Sequence, residues 1–232
     1  MPAAPADAFP PVRTVRRIDT HRLIPAQHAR GGESVLAKIA DDDQHLQQIF
    51  ELDAATNDRL LAERRRFAGI GVEELVFGVP AAHVINAAFC HPHPLGGRFN
   101  GPDRGAWYGA FALRTAQAEV AFHKSLELAE VGWREESITY DDYLADFSAA
   151  FHDLRAATRF RRYLDPDSYV ASQALAEQLL AHGSLGVVYP SVRDSRSTCL
   201  ACFRPALVAN VRRGASYRFT WNRKGGPRVT RE

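Results

Sequence analysis

The chain has 232 residues, 46% of them hydrophobic and 24% charged, with a formal net charge of +2. That balance excludes global disorder, leaves material for one core or a core with a small helical annex, and argues against a non-specific nucleic-acid binder, which needs a stronger basic excess. Three cysteines, Cys90, Cys199 and Cys202, are too few and odd in number for a disulfide scaffold.

The elements read in chain order as follows. Residues 1–11 form a Pro/Ala-rich tail with little expected structure. The N-terminus has no apolar signal-type stretch, and no run is long enough to span a bilayer, so the expectation is a cytoplasmic protein with no membrane contact. Val12 to Ile24 alternate loosely and predict a strand ending at Pro25. Ser34, Leu46–Leu52 and Asp58–Phe67 mark short helical patterns, so about 33–68 reads as a helical insert, broken by the glycines at 69 and 71. Leu75–Val79 is a short apolar run. Pro80 is suited to the first turn of a helix over 80–89.

Residues 91–97 (HPHPLGG) predict a loop, with Arg98, Phe99 and Asn100 directly after it. Ala106–Leu113 predicts a strand, and Thr115–Leu128 the clearest helix in the chain. Ile138–Phe147 predicts a strand followed by a turn of helix. Ser168 is placed to cap a helix through Leu180, ended by His182-Gly183. Residues 185–191, Leu200–Phe203 and Leu207–Val211 predict strands, and Tyr217–Trp221 has the alternation of a sheet edge. The order is mixed, without regular βαβ alternation. It predicts an α+β fold, a single domain over 12–232, with a mostly antiparallel or split sheet.

Several motifs fail. GIGVEE at 69–74 lacks the third glycine of a dinucleotide fingerprint and does not follow a strand. Cys199 and Cys202 lack a second ligand pair, and in a strand they face opposite ways, so they read as buried thiols. His91, His93 and His123 show no carboxylate partner, and no metal is expected.

What remains is a set of short segments that place a basic residue or hydroxyl beside small or aromatic residues: HRLIP (21–25), GRFN (97–100), AWYG (106–109) and YPSVR (189–193). TAQAEV (115–120) opens the best helix. In order and spacing they resemble the RES domain family, named for its Arg, Glu and Ser, over roughly residues 20–222. The HRLIP start and an insert containing Thr56-Asn57 look like the longer branch of that family.

The resemblance implies an ADP-ribosyltransferase-like split mixed or antiparallel sheet with flanking helices and the N-terminal helical insert. It implies the toxin of a toxin–antitoxin pair, an enzyme that degrades NAD⁺ at the nicotinamide–ribose bond by hydrolysis or phosphorolysis, or one that transfers ADP-ribose to a protein. NAD⁺ is then substrate and no cofactor is required. The implied partner is an antitoxin with a helix-turn-helix DNA-binding part, with room for a homo-oligomer within the complex.

The chemistry suits these residue types. Nicotinamide leaves NAD⁺ neutral and needs no general acid. The enzyme must stabilise an oxocarbenium-like ribosyl centre and hold two phosphates. On the resemblance, Glu119 is the catalytic carboxylate near the ribose 2′-hydroxyl. Arg22 and Arg98 bind diphosphate or ribose, Tyr108 stacks on nicotinamide, and Ser191 hydrogen-bonds the nicotinamide ribose or amide. Asn100 and His123, the latter four residues beyond Glu119, complete the ligand set. Each has a plainer explanation from sequence alone: Glu119 as an exposed first-turn acid, Tyr108 as a core aromatic, Ser191 as a strand-end hydroxyl, Asn100 as a turn residue and His123 as a surface partner. A competing class, an RNA- or DNA-binding module, is motivated by the basic stretches 64–66, 159–162 and 212–213.

Overall fold

The computed structural model describes residues 9–27, 69–133, 135–155, 158–222 and 226–232. The expected helical insert over 33–68 and residues 1–8 of the expected tail lie outside these. Residues 9–11, read as tail, are instead packed: the Phe9 ring meets the His182 ring edge-on at 5.1 Å, and the Pro11 carbonyl accepts the Asp153 amide at 2.8 Å.

The strands are β1 (Val12–Pro25), β2 (Trp107–Ala110), β3 (Glu136–Asp153), β4 (Gly186–Pro190), β5 (Thr198–Cys202), β6 (Ala209–Trp221) and β7 (Arg228–Arg231). Among the described residues the helices are α1 (Ala82–Cys90), α2 (Leu113–Glu130) and α3 (Val170–Ala181), with 3₁₀ helices at Val72–Glu74, Thr158–Leu164 and Pro205–Leu207. The strands form one mixed sheet in the order β1-β2-β5-β4-β3-β6-β7, and β1 also pairs with β3. All pairings are antiparallel except β3–β4. The fold is α+β.

β3 is longer than its sequence suggests. The turn of helix expected at the end of Ile138–Phe147 is strand instead, and the strand runs on to Asp153. Ala149 and Ala150 pair with Val15 and Thr14, and His152 with Val187 of β4. Tertiary pairing overrides local propensity there. β6 is not an edge either, because β7 pairs outside it, Tyr217 opposite Arg231.

β4 and β5 lie in mid-sheet and are covered on both faces. Val187, Cys199 and Ala201 face one core, shared with Ala116 and Leu128 of α2 and Leu175 and Leu179 of α3. Val188, Leu200 and Cys202 face the other, shared with Ile85 and Phe89 of α1. The two thiols therefore point opposite ways, as strand parity requires. Burial pushes both up to about 12. α3 ends at Gly183 (φ 74°), where the Gly183 and Ser184 amides close onto the Leu180 and Leu179 carbonyls.

The apolar run 75–79 forms no strand. Asn86 on α1 mimics a peptide partner for it: Val76 N–H donates to Asn86 Oδ1 at 3.0 Å, and Asn86 Nδ2 donates to the Val76 carbonyl at 2.8 Å. α1 itself starts two residues after Pro80. Just before the run, Glu74 takes a forked pair of bonds from Arg104, each 2.7 Å, and a third from Arg204 at 2.6 Å.

The Arg104 hydrogen bonds, opposed by partial burial and aided by Arg204, hold the Glu74 carboxyl down at about 2, from 4.5. A folded value below the unfolded one means stability that is present above about pH 4.5 and lost as pH falls towards 2. The side chain is 26% exposed, so about 1 kcal/mol is the appropriate scale. Glu74→Gln is expected to lower urea stability by about that amount at pH 7 and by almost nothing near pH 2.5. Equal losses at the two pH values would show that the charge is irrelevant.

Candidate active site

The N-terminal half of α2, the turn after β4, the 97–101 loop and the segment 165–169 meet on the face of the sheet that α2 covers. At their junction, Ser191 Oγ donates to Glu119 Oε1 at 2.7 Å. Ser191 is buried (4% exposed). The Glu119 side chain retains 28% exposure, so one oxygen is fixed and the carboxylate still reaches open space. The same hydroxyl oxygen accepts the Arg193 and Asp194 amides at 3.2 and 3.0 Å, which fixes its direction.

A clamp holds the helix to this turn. Thr115, one helical turn before Glu119 and fully buried, donates to Asp194 Oδ2 at 2.8 Å. That bond keeps the Asp194 carboxyl below its ordinary value, with Arg114 contributing. The Ser191–Glu119 separation is thus set by a link independent of their own hydrogen bond.

Arg98 is also buried, at 8% exposed. Its Nη1 donates to the Asp165 carbonyl at 2.6 Å, and its guanidinium lies 4.5 Å from the Tyr169 ring centre. Arg98 and Glu119 act electrostatically on a common set of groups, Tyr189, Cys199 and His123. His123 Nε2 is 3.9 Å from Glu119 Oε2 and 3.5 Å from the Tyr169 hydroxyl. Burial lowers the His123 pKa, partly opposed by Glu119.

Tyr108 and Asn100 hold the loop that carries Arg98. The Tyr108 hydroxyl accepts the Phe99 amide at 2.8 Å and donates to Asn100 Oδ1 at 2.7 Å. Asn100 Nδ2 donates to the Gly101 carbonyl. Burial raises the Tyr108 phenol above its usual range, so it stays neutral and keeps both bonds. A side chain at Gly97 would strike Asn100 Oδ1 at 2.6 Å and the Tyr108 hydroxyl at 2.8 Å, which accounts for the glycine.

The RES domain model matches residues 75–222, well over half the chain. The chain belongs to the RES domain family. A search of curated proteins gives no match. Among solved structures, the chain is similar to one in the crystal structure of the M. tuberculosis MbcT–MbcA toxin–antitoxin complex, at 14% identity and a TM-score of 0.45, over 90% of this chain and 87% of that one. A likeness this loose decides neither fold nor chemistry.

Within this RES domain the sequence-predicted residues Arg98, Asn100, Tyr108, Glu119, His123 and Ser191 gather on one face. Arg22 reaches them from the opposite face of the sheet, its Nη1 donating to the Tyr108 carbonyl at 3.4 Å. It pairs across the sheet with Tyr143, and its guanidinium lies 5.0 Å from the Trp107 ring centre, both residues of the α1-side core. Burial draws it down to about 10, still cationic at neutral pH. Its charge, like that of Arg98, is felt at the Tyr108 phenol.

Sequence reading passed over Thr115, Asp194, Tyr169 and Arg193, whose guanidinium packs on the Phe122 ring of α2 at 3.3 Å. Thr115, in TAQAEV, and Arg193, in YPSVR, lie within motifs that carried a signal, though neither was given a role; Asp194 and Tyr169 carried none. Among the described residues, no group of three or more His, Cys, Asp or Glu is placed to hold a metal ion, and no helix is long and apolar enough to cross a membrane.

Proposed function

We propose that this RES domain cleaves the bond between nicotinamide and ribose in NAD⁺, as the toxin of a toxin–antitoxin pair, on an ADP-ribosyltransferase-like scaffold. The observation that carries this is the Glu119 carboxylate, gripped at one oxygen by the buried Ser191 hydroxyl, its second oxygen 3.9 Å from His123 Nε2 and the side chain still 28% exposed. The C–N bond breaks with its electron pair moving to the nicotinamide nitrogen, which leaves neutral. Positive charge develops on the ribosyl carbon and ring oxygen. Glu119 stabilises it through its charge and through a hydrogen bond to the 2′-hydroxyl that strengthens as charge grows.

Water, phosphate or a protein side chain then adds to the ribosyl centre and loses a proton. The first two routes are hydrolysis and phosphorolysis, and the third is mono-ADP-ribosyl transfer. Ser191 orients Glu119 and reaches the nicotinamide ribose or amide, Tyr108 presents its ring to nicotinamide, and Asn100 and His123 border the ligand. Arg98 supplies positive charge at the inner wall, and Arg22 adds its field through the β2 strand. NAD⁺ is the substrate and no further cofactor enters. The partner on this reading is an antitoxin with a helix-turn-helix part, and the compartment is the cytoplasm.

A nucleic-acid module has less support. Arg212 and Arg213 are tied to acidic partners, Arg212 to Asp19 and Asp146 and Arg213 to Asp141. The purified chain is expected to release free nicotinamide from NAD⁺. ADP-ribose as co-product indicates water as acceptor, ADP-ribose 1″-phosphate indicates phosphate, and a labelled protein band indicates transfer. No nicotinamide release with any of these acceptors present would overturn the reading.

A further inference from the structure

An open cleft of roughly 470 Å³ runs outward from Ser191, within the range of about 300–1,000 Å³ typical of small-molecule sites. Pro190, Ser191 and Val192 form one wall, and Arg161, Arg162 and Asp165 belong to the other. The 3₁₀ helix Thr158–Leu164 explains the arginines. At three residues per turn, positions 160 and 163 lie one above the other. Phe160 and Tyr163 are both buried in the α2–α3 core, so the intervening Arg161 and Arg162 are directed outward.

Among the described residues, neither arginine has a carboxylate within ion-pair distance. Arg162 rests on the Tyr163 ring, 4.7 Å from its centre, and donates to that residue's hydroxyl. Asp165 is engaged in its own turn, Oδ1 accepting the Asp167 and Ser168 amides at 2.8 and 3.2 Å. The Asp165 carbonyl holds Arg98, which joins the cleft's inner end to the Glu119 site. Arg98 and Arg22, the arginines expected to hold phosphate, are occupied in the protein's own packing. Two exposed guanidinium groups without acidic partners, in a cleft that shares its serine with the catalytic carboxylate, suit a doubly anionic group.

We infer that this cleft is the diphosphate subsite of a dinucleotide substrate, with Arg161 and Arg162 as its ligands. The identity of the dinucleotide rests on the function proposed above; the anion subsite itself does not.

The test compares the full chain with the Arg161→Ala/Arg162→Ala double variant, whose changes are on the surface and leave folding intact, as a thermal melt will show. The KM for NAD⁺ is expected to rise about ten- to a hundredfold in the variant, equivalent to about 1.4–2.8 kcal/mol of lost binding. Cleavage of nicotinamide riboside, which has no phosphate, should change less than threefold. ADP-ribose binding by calorimetry should weaken by the same factor as the KM rises. That arm needs no catalysis, so wild-type protein that binds ADP-ribose through these arginines yet releases no nicotinamide would sink the catalytic reading and keep the subsite. Unchanged KM and unchanged ADP-ribose affinity would overturn the subsite. So would a double variant that loses only oligonucleotide binding.

Discussion

Glu119→Gln is expected to lower kcat/KM for nicotinamide release by about 10²–10³-fold, or roughly 3–4 kcal/mol of transition-state stabilisation, with no change in thermal stability. Glutamine has the same shape and still offers a carbonyl oxygen to the Ser191 hydroxyl, so the 2.7 Å bond survives. The Ser191 direction is fixed separately by the Arg193 and Asp194 amides, and α2 is held by Thr115 and Asp194. What disappears is the negative charge, which acts on a ribosyl centre that becomes cationic only in the transition state. The loss belongs in kcat, with KM little altered. A variant within threefold of wild type would remove Glu119 from the chemistry.

Arg98→Lys is expected to be nearly as damaging, with kcat/KM down more than about a hundredfold and stability lower by roughly 1–3 kcal/mol, the usual cost of leaving a buried polar group unpaired. The charge is conserved, so simple electrostatics predicts tolerance. Geometry predicts otherwise. The planar guanidinium spans the Tyr169 ring and the Asp165 carbonyl together, and an ammonium is a point charge that cannot lie flat on one while donating to the other. The site is also too enclosed for water to substitute, since Arg98 is only 8% exposed. Nicotinamide release and a urea melt on the same preparation decide it; wild-type values in both would show that the positive charge alone suffices.

Parts of this site are legible in the sequence because their signals are local. GRFN is confined by its glycine and by a nearby tyrosine, and the long helix presents Thr115, Glu119 and His123 at four-residue spacing. The serine sits where Pro190 ends a β-branched strand. The Asp194 clamp is invisible, because its partner Thr115 lies 79 residues away and the stretch Asp194-Ser195-Arg196 reads as any polar turn.

The placement of Arg22 is hidden for a different reason. Val15 and Leu23, eight residues apart, would share a face in a regular strand, yet they belong to opposite cores. The register shift between Arg17 and Thr20 changes the phase. Asp19 turns there with φ 54°, its amide donating to Asp146 Oδ1 at 3.0 Å. No periodicity shows which way Arg22 faces until that irregularity is known. The length of β3 is hidden likewise, since it depends on β1, whose Arg13 pairs with Phe151.

The β1–β3 ladder also governs when the sheet can assemble during synthesis. Among the described strands β1 comes first in the chain, and the β3 segment that forms its long ladder, Glu136–Asp153, follows more than a hundred residues later. Such distant pairing is slow to form. Ser191 and the central strand β5, ending at Cys202, emerge later still. A polypeptide that stops short of them has Glu119 without the Ser191 hydroxyl and β2 without its β5 neighbour, so the proposed site cannot assemble before both have been made.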